Sequence, residues 1–342
     1  MRKCVLVCAL ALLVITSRTA PAIAGETTFV VTSSNAVNNE LLVFDESGTL
    51  IQAVPTQGAG GVSGNAGGVA ALNGSIAVIN SGSQSVSLFG RGGNGFDLRQ
   101  LIATASPPVS VTFGKDHLYI LGTQTIESHR IAQTGVEPTA DGTTTLVRGD
   151  GSAAQAGVVG DRLIVTEKSG AVETVALTGG AVSGTATSLT VPADVLASPF
   201  GFVTRGSSAY ITVAGSDEVV LLRNGEVLAQ TATGVPNGSG QHSPCWAALL
   251  GPFLFTANSP SHSISRLIAT GHSVTLDAQV AANTTGAPID IAATGDLLAV
   301  VESNANGTSR VTQFRVDEDG HLTQTVTNAI GTSANGVAIV SR

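Results

Sequence analysis

This chain has almost no cysteine, few charges and few aromatic residues. Of three cysteines, Cys4 and Cys8 lie in the first ten residues, which leaves Cys245. A chain reduced to one thiol forms no internal disulfide, whatever its redox compartment. The fold must therefore be held by its core. Charged residues make up 12% and aromatics 4%, with one tryptophan, Trp246. No run of lysine and arginine occurs, and net charge is −8. That excludes the clustered cations by which proteins hold nucleic acid or anionic membrane. No segment beyond the N-terminus is long and apolar enough for a membrane helix. No phosphate loop, dinucleotide fingerprint, nucleophile elbow or zinc-binding helix is present. The six histidines show no metal-ligand spacing, so neither metal nor cofactor is expected.

The first 24 residues combine a basic start, MRK, the apolar run CVLVCALALLVI and a small-x-small end, Ala22-Ile23-Ala24. This is the pattern of a cleaved secretory signal. Cleavage after Ala24 would remove Arg2, Lys3 and Arg18 and take the net charge from −8 to −11. The expected mature protein is one domain, residues 25–342, exported to the periplasm or the exterior.

Gly is abundant, at 41 residues, and no segment shows a sustained helical period. Short β-rich runs alternate with Gly, Asn, Ser and Asp clusters, the pattern of strands and turns. These runs repeat. SIAVINSGSQSVSLF (75–89), HLYILGTQTIESHRI (117–131), RLIVTEKSGAVETVAL (162–177), SAYITVAGSDEVVLLR (208–223), FLFTANSPSHSISRL (253–267) and LLAVVESNANGTSRVTQFRV (297–316) are all strand, polar turn, strand. TFVVTSSNAVNNELLVFD (28–45) is a seventh, and strand starts recur every 42 to 47 residues. A short apolar segment precedes six of the seven, for example GGVAAL (67–72) and CWAALL (245–250). The first copy lacks it, and NGVAIV (335–340) remains at the far end. This predicts an all-β, seven-bladed propeller of four-stranded antiparallel blades. Residues 334–341 should pair with 28–33 and close the first blade, removing an open edge.

AAQAGVVGDRLIVTEKSGAVETVAL (153–177), SPFGFV (198–203), SPCWAALLGPFLFTANSPSHSISRL (243–267) and APIDIA (287–292) resemble the secreted bacterial branch of the lactonase-like seven-bladed propellers. That family includes bacterial-type 6-phosphogluconolactonase and the fungal carboxymuconate cyclase. The resemblance is most specific in TEK (166–168), PFGF (199–202), PCW (244–246) and TAN (256–258). It implies a histidine at the position of Ala154, beside Gln155, and arginines at Phe200 and Ile289. It also implies a glutamate near Val213–Ala214. None of these groups is kept, which removes the anion clamps and the proton carriers of such an enzyme.

The sequence therefore carries two functional readings. One is a non-catalytic ring, a monomer that offers a mouth or face to a small molecule, glycan or protein. The other is a hydrolase or cyclase acting on a lactone or related cyclic ester. The candidate ligand-binding residues are Gln155, Glu167, Phe200, Trp246 and Asp290. Three of these have a plainer reading: Trp246 as a packing anchor, Glu167, like Glu302 in the seventh repeat, as a turn charge, and Asp290 as an acceptor for turn amides. Asn80, Asn258 and Asn304 suit turn geometry alone. Cys245 reads as a buried structural thiol, with a nucleophile served by His242 as the alternative.

Overall fold

A computed structural model describes residues 27–93, 95–133, 135–191, 195–234 and 240–341. The proposed signal segment, residues 1–24, lies outside the described residues. Seven antiparallel sheets follow one another around a ring. Their innermost strands, from blade 1 to blade 7, are Asn335–Ser341, Val69–Leu72, Pro108–Phe113, Ala153–Val159, Pro199–Arg205, Pro244–Leu250 and Ala287–Thr294. Blade 1 closes as expected: Thr28–Ser33 pairs with Asn335–Ser341, with Thr28 opposite Ser341 and Val31 opposite Ala338. Among the described residues the only helix is one 3₁₀ turn, Ser81–Ser83. Among the described residues no helix is long and apolar enough to cross a membrane.

The apolar side chains divide into seven clusters, one at each blade–blade interface. Phe29, Val78, Phe89 and Phe96 join blades 1 and 2, with Phe29 edge-on to Phe96 at 5.8 Å. Tyr210, Leu221, Leu254 and Leu267 join blades 5 and 6. Because each sheet is covered on both faces, the second strands are buried along nearly their whole length, and completely so in His117–Gly122 and Ser208–Val213. That is why these strands read as continuous apolar runs rather than alternating ones. Polar clasps recur in this frame. Asn80 Nδ2 donates to Ser87 Oγ at 2.8 Å, and Ser87 Oγ donates to the Thr56 carbonyl. Four blades on, Asn258, Ser265 and the Thr233 carbonyl repeat the arrangement.

Blade 3 departs from the expected four strands. Its outer strand is broken into Gly135–Val136 and Gly142–Thr145, both paired with Thr125–Ala132. Pro138 falls in the gap and has no N–H for a ladder. Asp141, just beyond, instead accepts from Ser128 Oγ at 2.7 Å and contacts His117 Nε2 at 2.8 Å.

Candidate functional site

The ring axis has two unlike ends. At the end where the inner strands begin, the connection Thr56–Gly68 between blades 1 and 2 runs across the channel. The Ala66 N–H donates to the Ala154 carbonyl at 3.0 Å, and Val111 N–H donates to the Gly67 carbonyl at 2.9 Å. Asn65 Nδ2 donates to the Val109 carbonyl at 2.6 Å, and Asn335 Nδ2 donates to Asn65 Oδ1 at 2.8 Å. Trp246 Nε1 donates to the Asn65 carbonyl at 2.9 Å. Lys168 Nζ donates to the Gly64 carbonyl at 2.6 Å and sits 5.7 Å over the Phe200 ring. The residues from Gly64 to Gly68 thus reach blades 1, 3, 4 and 6 and plug this mouth. Small residues make this possible: a Cβ on Gly201 would lie 2.5 Å from the Cys245 carbonyl oxygen and 3.4 Å from Ala66 Cβ.

Two of the predicted ligand residues are part of this plug. Phe200 and Trp246 are buried and meet edge to face at 5.1 Å. Such a pair carries a large burial term and a specific geometry. A third, Asp290, is buried with them. Its carboxylate accepts backbone N–H groups from Ile291, at 2.8 Å, and from Gly67 and Val337. Burial pushes its pKa up to about 7 against the pull of those three amides. Cys245 is buried beside Trp246, and burial raises its thiol to about 12. His242 turns elsewhere: its Nδ1 lies 2.8 Å from Asp217 Oδ2, in an exposed pair.

Glu167 lies off the axis, at the strand–turn junction of blade 4. Oε2 accepts from Ser152 Oγ at 2.7 Å, and Oε1 makes no hydrogen bond within the described protein. Burial, and then the nearby carboxylates of Glu173 and Asp150, raise its pKa to about 7, although Ser152 and Lys168 oppose them. Glu302 repeats the position in blade 7, with Oε2 accepting the Gly286 N–H at 2.7 Å. Both therefore act as buried acceptors for the polar groups of turns.

The other end of the channel is open. A cavity of about 480 Å³ is walled by the inner strands of blades 3 to 7, with Thr112, Gly157, Thr204, Ala248 and Ala292 each contributing from a different strand. Among the described residues, no ionisable side chain lines it. Gln155 is the one predicted ligand residue on its wall. Its amide is already engaged: Nε2 donates to the Phe202 carbonyl at 3.0 Å and Oε1 accepts the Phe202 N–H at 2.7 Å. The side chain acts as an added rung between the inner strands of blades 4 and 5.

The structure thus brings Phe200, Trp246 and Asp290 together, and leaves Gln155 and Glu167 in separate settings. Asn65, the hub of the plug, was missed in the sequence reading. The available signal was GAGGVSGNAGG (58–68), a run of small uncharged residues suited to a crowded axis. No described histidine lines the cavity or hydrogen-bonds Asp290. His117, His129, His242 and His321 each contact a carboxylate elsewhere, and His272 meets Arg223. Among the described residues no group of three or more His, Cys, Asp or Glu is placed to hold a metal ion.

No family profile and no curated protein matches this sequence. Solved structures do match this chain in fold. A Lactobacillus plantarum protein is 16% identical, with 92% of this chain and 99% of that one covered and a TM-score of 0.66. A candidate 6-phosphogluconolactonase from Bacteroides fragilis is 15% identical, covering 94% and 100%, with a TM-score of 0.67. The periplasmic gluconolactonase of Pseudomonas aeruginosa is 13% identical, covering 92% and 99%, with a TM-score of 0.64. At these identities the chain shares their fold.

Proposed function

We propose that this chain is an exported, non-catalytic binding ring that takes a small uncharged molecule, such as a sugar or its lactone, into the open end of the channel. The observation that carries this reading is the channel wall itself. It is concave, of a size ordinary for small-molecule sites, and no ionisable side chain stands among its described lining residues. The positions at which lactonase-like enzymes would place histidine, arginine, glutamate and arginine hold Ala154, Phe200, Val213–Ala214 and Ile289. Backbone polar groups and the threonines Thr112 and Thr204 remain to orient a neutral ligand. The export part of the reading rests on residues 1–24, and the ring is proposed to act as a monomer in the periplasm or outside.

One observation favours the enzymatic alternative. Asp290 is a buried carboxylate near the axis with a pKa of about 7, the range useful for proton transfer at neutral pH. It lies under the plug, so lactone opening there would need residues 64–68 to move. The experiment uses glucono-δ-lactone and glucose with purified protein. Saturable binding is expected, abolished by Thr204→Trp at the open mouth, with lactone opening no faster than in buffer. Accelerated opening that Asp290→Asn removes, in a variant that melts normally, would reverse the assignment.

A further inference from the structure

A second cavity lies away from the axis, between blades 2 and 3 on the side of the open mouth. Its volume is about 490 Å³. Leu72, Phe89, Phe113 and Ile131 supply an apolar wall, and Gln100 Nε2 donates to the Val136 carbonyl at 2.6 Å to tie the two blades beside it. Among the described residues, its ionisable lining residues are Arg99 and Lys115, both cations, in a protein whose net charge is −8. Arg99 is only loosely held: Nη2 is 3.4 Å from Asp97 Oδ2, with both side chains more than half exposed, and it also donates to the Arg91 carbonyl at 2.6 Å. An exposed pair of that kind holds little energy and leaves the guanidinium available. Lys115 is exposed and, among the described residues, its amine has no ion-pair partner.

From this combination we infer a second binding site, for a small amphipathic carboxylate. The apolar body would lie on Leu72, Phe113 and Ile131, and the carboxylate would meet Lys115 and Arg99. Charge complementarity selects the anion. Two cations at the edge of an apolar cavity give charge-assisted hydrogen bonds that a neutral or cationic head group cannot match. The apolar wall selects the tail, because burial of aliphatic surface supplies the rest of the affinity. The site is separate from the proposed channel ligand, although Phe113 stands on the border of both cavities.

The test is calorimetric titration of the full protein with octanoate, and with octanamide as the uncharged control. One saturable site for octanoate is expected, with octanamide weaker by about tenfold, the loss of one charge-assisted contact. Lys115→Gln with Arg99→Gln should weaken octanoate by at least about tenfold at an unchanged melting temperature, since both side chains are exposed. Thr204→Trp, which fills the channel mouth, should leave octanoate binding as it was. No saturation below about 1 mM, equal binding of octanamide, full binding by the double glutamine variant, or loss in Thr204→Trp would each overturn the site.

Discussion

The two ends of the channel are framed by the inner strands of the ring, yet one is closed by the chain's own crossing connection and the other is open. At the filled end the inner strands of blades 1 and 4 to 7 each carry, near their starts, a residue that touches a neighbour or the crossing connection: Asn335, Ala154, Gly201, Trp246 and Asp290. At the open end the same strands have diverged enough to leave about 480 Å³ between them. The difference teaches that the chemically rare residues and the accessible space are in different places. Trp246, Cys245 and Asp290 invite a functional reading from the sequence, but they serve the closure. Gln155 apart, the open cavity is lined by residues that no motif search would select.

The sharpest way to break this comparison is to empty the filled end. Trp246→Ala removes a buried indole, its edge-to-face contact with Phe200 and its hydrogen bond to the Asn65 carbonyl. A loss of about 3–5 kcal/mol is expected from the cavity alone, measured by denaturant unfolding. A loss under about 1 kcal/mol would show that the connection is not anchored there.

A smaller effect separates the two buried carboxylates from ordinary surface acids. Glu167 and Asp290 both have folded pKa values raised to about 7 from values near 4. A group raised on folding contributes stability that is fully present below its unfolded pKa and is lost as pH rises through its folded pKa. Wild-type stability should therefore decline between about pH 4 and 7 through these two groups. Glu167→Gln should flatten part of that decline, so that the variant gains on the wild type as pH rises from 5 to 8, read as a melting-temperature difference. Equal pH slopes in both proteins would place the Glu167 carboxylate in a wetter setting than its burial indicates.

The repeat itself was legible because each blade carries its own strand–turn–strand pattern and needs no long-range information. Ring closure was legible for the same reason: NGVAIV was left without a partner copy, and Asn335–Ser341 indeed pairs with Thr28–Ser33. The break in the outer strand of blade 3 had a visible cause in Pro138, but the repeat pattern masked it. The plug was not legible. Its glycine-rich residues have no apolar period, and its contacts with Ala154, Trp246 and Asn335 are made far along the chain. Gln155 and Asp290 stood out by their positions at the start of inner strands. What they bond to depends on the neighbouring blade or on the crossing connection, and local sequence carries neither.

The smallest structural effect is expected at Cys245. Cys245→Ser should cost on the order of 1 kcal/mol, as a buried polar replacement, read in a thermal melt, and should leave ligand binding in the open cavity intact.

That thiol also offers the most direct measurement of the central claim, because it lies under the plug. Protein carrying Cys4→Ser and Cys8→Ser is treated with a thiol reagent near neutral pH, beside a further Thr204→Cys, Cys245→Ser variant whose one remaining thiol stands at the open mouth. Burial that raises the Cys245 pKa to about 12 should protect the native thiol until the ring unfolds, whereas the introduced thiol should react at the rate of a free cysteine. Equal, rapid labelling of both would contradict a channel sealed at one end and open at the other.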